Sequence, residues 1–177
     1  MRILRVISGP LAAAAMLLPG LTRSIAPSAA AQAPRCNVSN TDPVPDGEEQ
    51  AALDQINQFR GQNGLGPVAI SPALTLAARW KSGSMADGAP FAHDDTFRSW
   101  VQRLSDCGYP MPDWVTENLA AGYGNAGATV QQWIDSGYHR ENMLNGRVRF
   151  IGIARAQGGP YGWYWTADFG ASFGGIN

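Results

Sequence analysis

The sequence predicts an α+β domain, and two observations carry that reading. The first two thirds of the chain hold segments with helix-end signals and apolar residues at helical spacing. Near the C-terminus two β-rich runs stand close together, F-I-G-I-A-R at 150–155 and W-Y-W-T-A-D-F at 163–169. The glycine- and proline-bearing stretch 157–162 joins them, and such a pair most simply forms an antiparallel hairpin. Helices followed by a strand pair pack as helices on a small sheet. A length of 177 residues suggests one domain. A domain of about 150 residues buries roughly 70% of its unfolded surface, so a substantial core is available.

Each element has a local reason. Residues 1–31 are set apart from the fold: Arg2 and Arg5 make a basic start, an apolar run broken by Gly9-Pro10 and Pro19-Gly20 follows, and Ser28-Ala29-Ala30-Ala31 closes it. This is the layout of a secretory signal peptide, with cleavage expected after Ala31; cleavage after Ala33 would leave Pro34 first. The run is too short and too interrupted to span a bilayer, and an integral membrane protein is not expected. Residues 32–47 are polar, carry Pro34, Pro43 and Pro45, and read as a tether. Asp46 with Glu49 makes a capping box, opening a helix with Leu53, Ile56 and Phe59 on one side. That helix ends at Gly61 or Asn63-Gly64, and Val68-Ala69-Ile70 is too short to assign. Ser71-Pro72 places a cap and a first-turn proline before Leu74, Ala77, Ala78 and Lys81.

Asp95 or Thr96 is the expected cap of a third helix, because Phe97, Trp100, Val101 and Leu104 form an i, i+3, i+4, i+7 stripe. Residues 109–112 turn the chain, 114–119 are expected to be extended, and 129–136 form a fourth helix. Trp80, Trp100 and Trp133 fall on helix faces and are expected in the core. Trp114, Trp163 and Tyr164 are candidates to line a ligand surface.

Charge and cysteine content narrow the function. Loss of Arg2, Arg5 and Arg23 leaves 10 basic residues against 14 acids, so the exported chain is acidic and shows no basic patch for nucleic acid. Cys36 and Cys107 are the two cysteines, and export favours a disulfide between them over two buried thiols.

The stretch 116–145 concentrates the candidate chemistry. Glu117 sits in an extended segment, and Asp135, Ser136, Tyr138 and His139 follow at the expected end of the fourth helix. The other histidine, His93, lies in F-A-H-D-D. Two imidazoles and a carboxylate are a legitimate Zn²⁺ ligand set, here His93, His139 and Glu117; hydrogen bonds from the imidazoles to the acids would explain the same residues. There is no H-E-x-x-H. No G-x-S-x-G surrounds Ser136, so serine catalysis is not expected. A Glu117/Asp135 pair for glycoside cleavage would need a defined separation that sequence does not supply.

The motifs F-A-H (91–93), T-E-N-L-A-A-G (116–122), W-I-D-S-G-Y-H-R-E-N-M-L (133–144), F-I-G-I-A (150–154) and Y-W-T-A-D-F-G (164–170) stand in one order, after A-L-D-Q-I-N-Q-F-R-G-Q-N-G-L (52–65). In that order the sequence resembles the CAP superfamily, the cysteine-rich secretory, antigen 5 and pathogenesis-related-1 proteins, in compact bacterial form. The resemblance covers 48–172 and leaves 173–177 as a tail. It implies an α-β-α sandwich with helices on both sides of a small, mainly antiparallel sheet. It also implies a cleft of two histidines and two acids. His93, His139 and Glu117 match three of these positions. The fourth falls on Ser136, with Asp135 one residue earlier and about 100° away around a helix. Thr116 stands for the usual Gly, and Gly137-Tyr138 for the usual Pro-Gly, so Tyr138 is a candidate cleft residue. The resemblance implies a secreted or periplasmic protein binding a lipid, sterol or other cell-envelope ligand. Zn²⁺ is a possible rather than obligate cofactor, and no enzymatic activity is firmly expected. The alternative is a metal-assisted hydrolase of cell-wall or peptide substrates.

Overall fold

The computed structural model describes residues 36–38, 42 and 44–174. The expected signal peptide, half of the tether and the last three residues of the tail lie outside them. Nine elements follow in order. They are α1 (Gly47–Gln62), β1 (Ala69–Ile70), α2 (Pro72–Ala86), α3 (Trp100–Asp106), β2 (Val115–Ala121), α4 (Ala126–Asp135), α5 (Gly137–Met143), β3 (Phe150–Gly158) and β4 (Gly162–Gly170). The sheet runs β1-β3-β4-β2. β3 and β4 form the expected hairpin, β2 pairs antiparallel with β4, and the short β1 adds a parallel edge. The α+β sandwich is therefore present, with the unassigned 69–70 pair as its one parallel strand.

Alternation along the strands divides the core. Ile151, Ile153, Ala167 and Phe169 pack with Leu53 and Ile56 of α1 and with Val130 and Trp133 of α4. On the opposite face Leu74 and Ala77 of α2 pack with Leu104 of α3, Cys107 and Tyr109. The α2 layer lies very close to the sheet because β3 has no side chain at Gly152. A Cβ there would stand 1.9 Å from the Leu74 carbonyl carbon. Side chains directly across the sheet from Gly152 share its face, since partners across a ladder point the same way. They are Asp168 on β4 and, beyond it, Glu117 on β2.

The capping signals at α1 and α2 act as predicted. Asp46 accepts from the Glu48 and Glu49 N–H groups while Glu49 reaches back, and Ser71 accepts from Leu74. The third helix starts later than its apolar stripe suggests. Ser99 is its cap, because Asp95 is occupied by Lys81, Arg98 and Arg103. Phe97 is thereby left outside the helix and exposed, against the edge of Trp80. Of the three tryptophans expected in the core only Trp133 is fully buried. Trp80 and Trp100 are half-buried, and Trp80 lies under Arg98 at 4.4 Å.

The expected fourth helix is two helices. Ser136, at φ −88° and ψ 121°, is extended and breaks the register between α4 and α5. α4 is fixed to β2 through Trp133 Nε1, which donates to the Leu119 carbonyl at 3.0 Å. α5 is fixed at its end by buried Arg60 of α1, which donates to the carbonyls of Met143 and Asn145. The disulfide between Cys36 and Cys107 is formed, with the two Cα atoms 4.9 Å apart. Among the described residues no helix is long and apolar enough to cross a membrane.

Candidate functional site

The site is built at the outer edge of β2, the last strand of the sheet. Glu117 points to the α2–α3 face and is almost fully buried. Its Oε1 lies 2.7 Å from His93 Nδ1, and its Oε2 accepts from Arg103 Nη2. His93 itself is half exposed, with 51% of its side chain open to solvent. The loop carrying His93 is held by the same arginine, whose Nη1 donates to the His93 carbonyl at 3.2 Å and to Asp95 at 2.7 Å. Lys81 Nζ meets the same Asp95 oxygen, 3.2 Å away. Burial disfavours the charge of Arg103, but the carboxylates around it, Glu117 foremost and Asp95 with it, outweigh burial and hold the guanidinium above its ordinary range. Burial together with nearby Arg103 pushes Lys81 down, only partly offset by Asp95.

His139 approaches from the opposite side. α5 docks on β2 through Asn142, whose amide donates to the Glu117 carbonyl at 3.2 Å and to Asn118 Oδ1 at 2.9 Å. Asn118 in turn donates to the His139 carbonyl at 3.0 Å. His139 and Asn142 are three apart in a helix and so share this face. Burial and the proximity of His93 push His139 below the ordinary histidine range, and its Nδ1 is buried without a partner. A histidine depressed in the folded state contributes stability above its unfolded value that is lost as pH falls through the folded value. Chemical unfolding followed downward from about pH 6.5 should therefore show falling stability. His139→Gln should flatten that dependence; an equal slope in the variant would place the cause elsewhere.

His93, Trp100, Val115, Thr116, Glu117 and Asn142 line a cleft of about 310 Å³. A larger cavity of about 480 Å³ lies against Arg79 and Trp80. It contains neither histidine, whereas the smaller one is lined by His93 and Glu117. His93 and Glu117 thus meet as expected, although 24 residues separate them. Asp135 goes elsewhere: it is exposed, accepts from Gln131 at 2.8 Å and lines a separate cavity with Tyr123. The physical reason is the register one residue short of the matched position. Ser136 forms the joint between α4 and α5, and Tyr138 projects outward, 85% exposed. Neither lines the cleft with His93.

Of the Zn²⁺ set that the sequence offers, His93 and Glu117 are in contact. Among the described residues no three His, Cys, Asp or Glu side chains gather so as to hold a metal ion. Glu117 is already engaged on both oxygens, and the Arg103 charge beside it opposes a cation.

A model of the cysteine-rich secretory protein family matches residues 53–169. The chain belongs to this family, the CAP family. A Bacillus subtilis (strain 168) protein, YkwD, is 30% identical over 122 residues, which are 68% of this chain and 46% of YkwD. The CAP chain therefore spans less than half of that relative. A crystal structure of a Bacillus anthracis str. Ames extracellular protein containing an SCP domain superposes with TM-score 0.63 at 28% identity. That match covers 71% of this chain and 41% of the other. An outer surface protein of Borrelia burgdorferi shares the fold, with TM-score 0.63 at 20% identity over 72% of this chain and 95% of its own.

Sequence reasoning missed Arg103, Asp95, Asp168 and Asn142 in this CAP site, and took Lys81 only as part of a helix stripe. Lys81 and Arg103 sit on the buried faces of α2 and α3, and Asp168 interrupts an apolar strand. A charge placed on a core face was the available signal, because such a group is buried only where it finds a partner.

Proposed function

We propose that this chain is an exported CAP module that binds a cell-envelope ligand in the His93/Glu117 cleft, with His139 at its side. The observation that carries the reading is the relay His93–Glu117–Arg103. A half-exposed imidazole is fixed by a buried carboxylate that is itself fixed by a buried guanidinium. Groups held in advance lose little freedom when a ligand arrives. The cleft volume is at the lower end of small-molecule sites, which begin at about 300 Å³. Trp100 and Val115 offer an apolar wall beside the polar group, suiting a lipid or other amphipathic envelope component. Export is supported by the N-terminal layout, by the disulfide and by the extracellular relative. Binding is favoured over hydrolysis because Glu117 is buried and held between His93 and Arg103, which commits it to positioning the imidazole.

Native mass spectrometry of protein recovered from the exported fraction tests this. A retained small-molecule adduct is expected in the wild type and reduced at least tenfold in His93→Ala and in Trp100→Ala. Wild-type protein without adduct, after incubation with lipid extract of the envelope, would remove the reading. Zn²⁺ is a separate arm of the same experiment. Two imidazoles supply only two of the usual four zinc ligands, so any Zn²⁺ taken up should be lost to chelator. His93→Ala and His139→Ala should each weaken that uptake, and Asp135→Asn should leave it unchanged.

A further inference from the structure

We propose that Asp168 is a neutral carboxylic acid in the folded protein, that its proton lies between it and Glu117, and that it is a positioning residue for the Glu117–His93 pair. Asp168 is completely buried, and neither of its oxygens meets a hydrogen-bond donor. An isolated carboxylate in that position would lose its hydration with nothing to replace it. It lies directly across the ladder from Glu117, and the two carboxyl groups are in hydrogen-bonding contact. Two ionised carboxylates are both acceptors and repel each other; a proton between them converts the contact into a hydrogen bond.

The surrounding charges give the same answer independently. Three cations, Lys81, Arg98 and Arg103, form ion pairs with three carboxylates, Asp95, Asp106 and Glu117. Above the ordinary histidine range that cluster balances without Asp168, and a fourth negative charge would have no counterpart. The groups facing Asp168 are Glu117 from β2, Arg103 from α3 and Asp95 from the loop before it. Lys81 of α2 acts on these same groups, and β3 contributes only Gly152 opposite. Burial first, and Glu117 second, push the Asp168 carboxyl well above the usual range; Arg103 opposes them.

The consequence reaches the cleft. With the proton on Asp168, Glu117 stays ionised and accepts from His93 Nδ1–H, Arg103 and Asp168. His93 is then held in the Nδ1–H tautomer, which leaves its Nε2 as an acceptor. The cleft therefore offers an acceptor and favours a ligand group that donates.

Two measurements on the full exported chain test this. In infrared spectra of the wild type at neutral pH, a carbonyl band of a protonated carboxylic acid is expected, and it should vanish in Asp168→Asn. An acid raised in the folded state contributes stability that is fully present below its unfolded value, about 3.9, and is lost as pH rises toward the folded value. Relative to Asp168→Asn, the wild-type folded-to-unfolded ratio should fall by up to tenfold per pH unit above that point. A wild type that instead gains on Asp168→Asn with rising pH would show an ionised Asp168 bonded to Arg103, whose Nε has no other acceptor, and would overturn the proposal. The ¹⁵N shifts of the His93 ring report positioning. Asp168→Asn, still a donor, should keep the Nδ1–H tautomer, and Asp168→Ala should lose part of it. Loss in Asn, or an unchanged tautomer in a folded Ala variant, would end the positioning role.

Discussion

Arg103→Met is expected to lower stability by about 3–5 kcal/mol, the range for removing one partner of a buried ion pair. Arg103 is fully buried, and its guanidinium joins Glu117, Asp95 and the His93 carbonyl. A methionine of similar length fills the space, so the loss comes chiefly from Glu117, left buried without a cation, while Asp95 keeps Lys81 and Arg98. Glu117→Gln in the same background should recover part of it, because that uncompensated charge disappears. Urea unfolding of the four proteins of this cycle gives the coupling directly. A loss below about 1 kcal/mol, the level of an exposed pair, would mean that the cluster is solvated and does not organise the site. The His93 loop should also loosen in Arg103→Met, which amide exchange of residues 92–95 would detect.

Breaking the Cys36–Cys107 bond is expected to cost about 4 kcal/mol in the chain-entropy description of a long loop. The bonded residues are 71 apart in sequence. Cys107 closes α3 and lies in the core cluster with Leu74, Leu104 and Tyr109, against which Cys36 and Val38 also pack. The Cys36→Ser/Cys107→Ser variant, compared with oxidised protein by thermal and urea unfolding, measures the effect. Equal stability would show that the N-terminal segment adds nothing to the domain. The same α3 carries Arg103, so a large loss would couple the oxidation state of the exported protein to the geometry of the cleft.

The two lines of prediction draw on information of different range. The capping box at Asp46 and the Ser71-Pro72 start were legible because their partners are within four residues, and short-range hydrogen bonds decide them. The β3–β4 hairpin was legible for the same reason, as neighbours in sequence pair with little loop-closure cost. The start of α3 was not. Its apolar stripe extends to Phe97, but Asp95 is drawn away by Lys81, fourteen residues upstream, and by Arg103. The break at Ser136 was likewise invisible to periodicity, and α5 takes its place from Asn142 bonding β2 and Arg60 bonding the end of the helix.

The sequence by itself determined the α+β class, the caps of α1 and α2, the cysteine pair and the family, and it singled out His93, Glu117 and His139. Those features reside in local propensity or in ordered motifs. Only the tertiary structure decided what surrounds Glu117. It placed Asp135 on another face and brought Arg103 and Asp168 against the carboxylate from α3 and β4. The reason is that a buried charge is defined by its partners, and here they come from α2, α3, β2 and β4 and a loop. No spacing along the chain encodes which of them meet. Gly152 shows the same limit: its lack of a side chain is plain in the sequence, but only the approach of the Leu74 backbone gives it a purpose.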